Sequence, residues 1–128
     1  MTNVFQQQGA FSWCELMTTD TTAAKEFYSR LFGWEMTDRP VEGMTYTVLK
    51  AGEQEVGGLM TMMPDLPAML PQWGVYVTVD DVDTSVKLVE ELGGQVKVPP
   101  MDIPDVGRFA VIQDPQGAPL SIISYPSS

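Results

Sequence analysis

An adjacent thiol and carboxylate, Cys14 and Glu15, stand near the start of the chain in the stretch FSWCELMTTD. A thiolate can act as a nucleophile and a carboxylate as a general base, provided that the two side chains can meet. The residue pattern predicts a strand over 11–17, and neighbouring side chains of a strand point to opposite faces. Trp13 and Glu15 then share one face, while Cys14 points toward the helix layer. We therefore expect Cys14 to be a small buried hydrophobic residue and not a partner of Glu15.

The chain contains no histidine. Histidine is the commonest general base near neutral pH and the commonest ligand for zinc, copper and non-haem iron. Ser–His and Cys–His nucleophile arrangements are therefore excluded. The glycine-rich patterns that bind nucleotide phosphates are also absent from the sequence.

The composition indicates one acidic domain. The 128 residues carry 7 basic and 17 acidic side chains, a net charge of −10, which repels nucleic acids and anionic membranes and attracts cationic ligands. No apolar run approaches the roughly 20 residues that span a bilayer, and the first ten residues do not resemble a signal peptide. A single cysteine fits a reducing compartment. We expect a cytoplasmic protein that does not bind nucleic acid or membranes.

The sequence repeats itself with a period of about 60 residues. This shift aligns WCELMTTD with WGVYVTVD, so that Trp13 falls on Trp73 and Asp20 on Asp80. We interpret the chain as a single domain of two related modules. Module one covers about 9–62, a proline-rich linker about 63–72, and module two about 73–125.

Each module has the pattern of a strand, a helix and three short strands. An apolar stripe predicts the helix of each module: Ala24, Phe27, Tyr28 and Leu31 in the first, Val82, Val86 and Val89 in the second. The second proline-rich stretch, VPPMDIPDVG, predicts a long loop that either closes over a site or forms a rigid surface connection. The fold class is therefore α+β. Two βαβββ modules can pair into one curved eight-stranded mixed sheet, an open cup with helices outside and a ligand site on its concave face.

Three stretches carry a resemblance to a known family: ELMTTDTTAAKEFYSRLFGWEM, WGVYVTVDDVDTSVKLVEELGG and VGRFAVIQDPQGAPLSII. From about residue 9 to residue 125 the chain resembles the vicinal oxygen chelate superfamily. This superfamily includes glyoxalase I, bleomycin-resistance proteins and extradiol dioxygenases. The resemblance implies the same paired βαβββ cup, and it implies a homodimer.

The enzymes of that superfamily hold a divalent metal with four side chains, typically His or Glu. The resemblance places these positions at Trp13, at Trp73 or Gly74, within 55–59, and at Ser121. An indole offers a metal no donor, and glycine has no side chain. We therefore expect no metal and no cofactor, although Glu15 and Glu55 remain alternative ligands of a weak site for a hard cation.

Six residues are candidates for the wall of the cup: Trp13, Glu15, Tyr46, Trp73, Phe109 and Ser121. The two tryptophans either stack on a ligand or fill the cup as core. Glu15 either holds a cationic ligand or lies in water at the rim. Arg108 either binds a ligand carboxylate or forms a surface salt bridge.

These residues favour a metal-free protein that binds or sequesters a small apolar or cationic molecule, as bleomycin-resistance proteins do. The first alternative is a metal-dependent lyase, isomerase or dioxygenase with unusual ligands. The second is a structural or interaction domain whose cup is filled by its own side chains.

Overall fold

The computed structural model describes residues 3–41, 44–61, 71–103 and 106–126. The chain divides into two compact units, Trp13–Gly74 and a second that joins Met1–Ser12 to Val75–Ser128. We use module one for the first unit and module two for the second. The predicted linker 63–72 lies outside the described residues except at its last two positions. No helix within the described ranges is long and apolar enough to cross a bilayer.

Module one contains one helix and four strands. Its elements are β1 (Phe11–Thr18, whose first two residues belong to module two), α1 (Thr21–Phe32), β2 (Glu35–Val41), β3 (Met44–Ala51) and β4 (Gln54–Thr61). The strands lie in the order β2-β3-β4-β1, with β1 parallel to β4 and the other neighbours antiparallel. One side of this sheet packs against α1. We call that side the helix face and the opposite side the far face.

Helix α1 begins and ends at residues suited to those positions. The Asp20 carboxylate accepts a hydrogen bond from the backbone N–H of Ala23 at 3.0 Å, and Gly33 follows the helix with φ 75°. Ala24 and Tyr28 pack on the module core of Leu16, Leu49 and Leu59. The other two residues of the predicted stripe do not: Phe27 is 59% exposed and Leu31 57%. The helix therefore buries a narrower face than its sequence indicates.

Module two repeats the pattern. Its elements are β5 (Gln72–Thr78, whose first three residues belong to module one), α2 (Val82–Glu91), β6 (Gln95–Ile103), β7 (Gly107–Gln113) and β8 (Pro119–Ser124). The strand order is β5-β8-β7-β6, with β5 parallel to β8. A core of Val79, Val82, Ala110 and Ile122 lies on the helix face. Both modules are therefore βαβββ, and the predicted α+β class is confirmed.

Strand β6 corrects the prediction of a long proline-rich loop. The strand was expected to end at Val98, but it continues to Ile103, which pairs with Gly107 of β7. The register shifts between Val98 and Met101, where two prolines lack the N–H that a regular ladder needs. Bulges and edge strands tolerate proline, and β6 is the outermost strand of its module.

The N-terminal segment forms part of module two, which the sequence did not indicate. The Gly9 N–H donates to the Thr78 carbonyl and the Thr78 N–H donates to the Ala10 carbonyl, both at 2.8 Å. Phe5 packs edge-on against Tyr125, with ring centroids 4.9 Å apart. These contacts extend the edge of module two at β5.

The pKa of Asp38 lies below its usual value, chiefly because Lys25 and then Thr47 donate hydrogen bonds to its carboxylate, at 2.8 and 2.7 Å. The folded state thus binds this proton more weakly than the unfolded chain. The stabilisation from Asp38 is complete above its unfolded pKa of about 4 and is lost as the pH falls through the lower folded value.

We expect Lys25→Met to raise the pKa of Asp38 toward the ordinary value, because it removes the main hydrogen bond to the charged form. An NMR titration of the Asp38 carboxyl carbon measures this shift. Lys87→Met in α2 removes an equal charge elsewhere and should leave Asp38 unchanged. An identical Asp38 titration in wild type and Lys25→Met would contradict this account.

Candidate functional site

Three side chains of module one form a continuous hydrogen-bonded chain. The indole N–H of Trp13 donates to the Tyr46 hydroxyl oxygen at 2.8 Å. The Tyr46 hydroxyl in turn donates to the Glu15 carboxylate, also at 2.8 Å. All three side chains are partly buried. We call this group the Trp13–Tyr46–Glu15 relay. It holds an aromatic ring, a phenol and a carboxylate in fixed relation to one another.

Gly58 allows the relay to form. Tyr46 lies on β3 and its two partners lie on β1, so its side chain must pass over β4, the strand between them. Gly58 is the β4 residue paired with Glu15, and a Cβ atom at this position would overlap the Tyr46 hydroxyl. The sequence analysis missed this role. Adjacent glycines inside a strand, as in VGGL, are a signal of close approach by another group.

Strand alternation determines which way β1 side chains point. Leu16 is buried against α1 and so marks the helix face, which puts Trp13 and Glu15 on the far face. Cys14 points to the helix side, as predicted, and cannot pair with Glu15. It is exposed, however, and the expectation that it is buried is wrong.

Trp73 does not share the face of Trp13, which corrects the alignment of the repeat. Its indole N–H donates to the Tyr28 hydroxyl at 3.2 Å, and its ring meets Tyr28 edge-on with centroids 5.3 Å apart. Trp73 thus lies on the side of α1. Since neighbouring strand residues alternate, Gly74 faces the other way, and Gly74 is the counterpart of Trp13. A one-residue difference in register separates the two alternatives.

The remaining two candidates lie on module two. Ala110 and Ile122 are buried on its helix face, so alternation places Phe109 and Ser121 on the far face. Tyr76 pairs with Ser121 across β5 and β8 and belongs to the same face. Arg108 contacts the carboxylates of Asp83 and Asp102 at 2.9 and 3.0 Å, the predicted salt-bridge arrangement.

The donor set does not fit the metal site that the resemblance implies. Glu15 accepts a hydrogen bond from Tyr46, and Glu55 is paired with Arg39 at 2.7 Å. In the part of the chain that the structure describes, no three His, Cys, Asp or Glu side chains form a group able to hold a metal ion. A stable site needs several converging donors, so no reaction step is derived through a metal here.

Comparison with known proteins gives a family and several relatives. Residues 10–122 match the model of the Glyoxalase/Bleomycin resistance protein/Dioxygenase superfamily. The Mycobacterium tuberculosis protein "Putative glyoxylase CFP32" is 43% identical over 119 residues, 91% of this chain and 46% of that protein. Anthracycline biosynthesis protein DnrV of Streptomyces peucetius is 34% identical over 127 residues, 89% of this chain and 46% of that protein. The chain spans about half the length of the curated relatives it matches.

Solved structures share the fold over nearly the whole chain. Methylmalonyl-CoA epimerase from Mycobacterium tuberculosis superposes with a TM-score of 0.69 at 15% identity, covering 99% of this chain and 94% of that one. Hypothetical protein BH1468 from Bacillus halodurans gives a TM-score of 0.73 at 12% identity, covering 95% and 98%. At such identities the similarity shows the fold alone, and it confirms the fold predicted from the repeat.

Proposed function

Because this chain belongs to the glyoxalase/bleomycin resistance protein/dioxygenase superfamily, we propose that it binds a small planar apolar or cationic molecule and holds it without a metal ion. The observation that carries this proposal is the Trp13–Tyr46–Glu15 relay on the far face of module one. The relay offers recognition groups and no set of metal ligands. Binding, and not metal-assisted conversion, is the activity that these side chains support.

The two ends of the relay have different tasks in this proposal. The N–H of Trp13 is occupied by Tyr46, so the indole contributes its ring to the ligand by stacking or by cation–π attraction. The hydrogen bond from Tyr46 orients the Glu15 carboxylate, which supplies negative charge to a ligand cation. A planar cation satisfies both ends of the relay at once.

Two further observations support this ligand class. The net charge of −10 attracts cations from solution. The relative DnrV is named for anthracycline biosynthesis, and anthracyclines are planar polycyclic aromatic molecules. The proposal includes a homodimer in the cytoplasm, which sedimentation and localisation measurements would test.

Calorimetric titration of untagged protein tests the proposal, since a histidine tag would add the metal ligands that the chain lacks. The probes are an aminoacridine as planar cation, anthraquinone-2-methanol as planar neutral molecule, and cyclohexylamine as non-planar cation. We expect affinity to fall in that order and to be unchanged after dialysis against a chelator. Metal content by mass spectrometry should be well below one equivalent.

The metal-dependent alternative predicts the opposite result. One equivalent of tightly held metal, or binding that disappears after chelation and returns with the metal, would overturn the proposal. Equal affinity for all three probes would show that the relay does not select the ligand.

A further inference from the structure

We propose a second binding site in module one, an aromatic cage for a small alkylammonium cation. The site is a groove of about 340 Å³ on the helix side, between α1 and the start of β5. The rings of Phe27, Tyr28 and Trp73 line it together with the Asp20 carboxylate. We call it the Trp73 groove. Its volume is within the range of small-molecule sites, which begins at roughly 300 Å³.

The three rings are arranged as walls and not as a stack. Phe27 and Tyr28 have centroids 4.9 Å apart and planes at 90°, and Tyr28 and Trp73 have centroids 5.3 Å apart and planes at 82°. The hydrogen bond from the Trp73 indole N–H to the Tyr28 hydroxyl holds one corner of the cage. Rings that meet at right angles can direct more than one π-face at a single cation, which is how aromatic cages bind quaternary ammonium groups.

The charge of the groove selects a cation. Asp20 is the single charged side chain among the described residues that line it. Its Oδ1 atom accepts the N–H of Ala23, and an ionised carboxylate has capacity for further partners on its two oxygens. Phe27 is 59% and Trp73 40% exposed, so both rings are accessible from solvent. An exposed aromatic wall beside one carboxylate matches a group that is apolar in shape and positive in charge.

The Trp73 groove is independent of the proposed relay site. The relay lies on the far face of module one and the groove on the side of α1, and the two share no residue. Loss of one site leaves the other intact. Trp13→Ala should therefore leave cation binding in the groove unchanged, which separates failure of this inference from failure of the proposed function.

Choline and its uncharged isostere 3,3-dimethyl-1-butanol test the cage, because they differ in charge and hardly in shape. Binding is followed by NMR through the indole N–H signals. We expect the Trp73 signal to titrate with choline at least about tenfold more tightly than with the isostere, and Trp73→Leu to weaken choline binding by about tenfold. Equal binding of the two molecules, or no titration of Trp73, would overturn the proposal.

Asp20→Asn separates the charge from the helix cap, because asparagine caps a helix as well as aspartate does. The matched control is Asp81→Asn, which makes the same change at the N-cap of α2. We expect only Asp20→Asn to weaken choline binding, by about tenfold. Similarly, Phe27→Leu should weaken it and Phe11→Leu, an exposed ring outside the groove, should not.

Choline is also the headgroup of phosphatidylcholine, so a further arm separates the two sources. Co-sedimentation with phosphatidylcholine vesicles is compared with the titration of free choline. The proposal expects binding of the free cation and no retention on vesicles. Retention on vesicles without binding of free choline would overturn the assignment to a small molecule.

Discussion

Gly58→Ala is expected to destabilise the protein by about 2–4 kcal/mol. A methyl group at this position would occupy the place of the Tyr46 hydroxyl, so the ring must leave its position over β4. Forced overpacking costs about 1–3 kcal/mol, and the departure of Tyr46 also loses its hydrogen bonds to Trp13 and Glu15, at about 0.5–1.5 kcal/mol each. Equilibrium unfolding in urea measures the difference.

Gly74→Ala is the matched control for this substitution. Gly74 is also a strand glycine, but its nearest neighbour around an added Cβ is the Glu15 carbonyl oxygen at 4.0 Å, an ordinary contact. We expect its free energy of unfolding to change by less than about 1 kcal/mol. In a Tyr46→Ala background, Gly58→Ala should cost much less than in wild type, because the clash is gone. A full cost in that background would show that Tyr46 is not the obstacle.

Trp13→Ala has the largest expected effect on the proposed ligand, an affinity loss of about tenfold to a hundredfold. The substitution removes the stacking surface, worth about 0.5–2 kcal/mol, and leaves Tyr46 without the donor that orients it. A factor of ten corresponds to about 1.4 kcal/mol. Calorimetric titration with the aminoacridine cation measures the loss.

Two other variants divide this effect between ring and relay. Trp13→Phe keeps an aromatic ring and loses the N–H, so its affinity should lie between those of wild type and Trp13→Ala. Cys14→Ala alters the next residue, which points to the opposite side of β1, and should bind as wild type does. Unchanged affinity in Trp13→Ala would place the ligand elsewhere on the protein.

Local sequence rules were enough to predict the elements and the direction of β1. The internal repeat predicted two βαβββ modules, and Asp20 and Gly33 marked the two ends of α1. The period of two along β1 placed Trp13 and Glu15 together and separated Cys14 from Glu15. Such features depend on near neighbours in the chain, whose relation backbone geometry determines.

Contacts between distant residues were decided by the tertiary structure. Tyr46 was a candidate, but nothing local indicated that it crosses β4 at Gly58 to reach Glu15. The repeat paired Trp73 with Trp13, whereas a one-residue difference in register turned Trp73 toward Tyr28. The narrow contact between α1 and its sheet left Phe27 exposed. The sequence by itself therefore determined the modules and the faces of β1, because alternation is local, while register and packing decided which of these side chains meet.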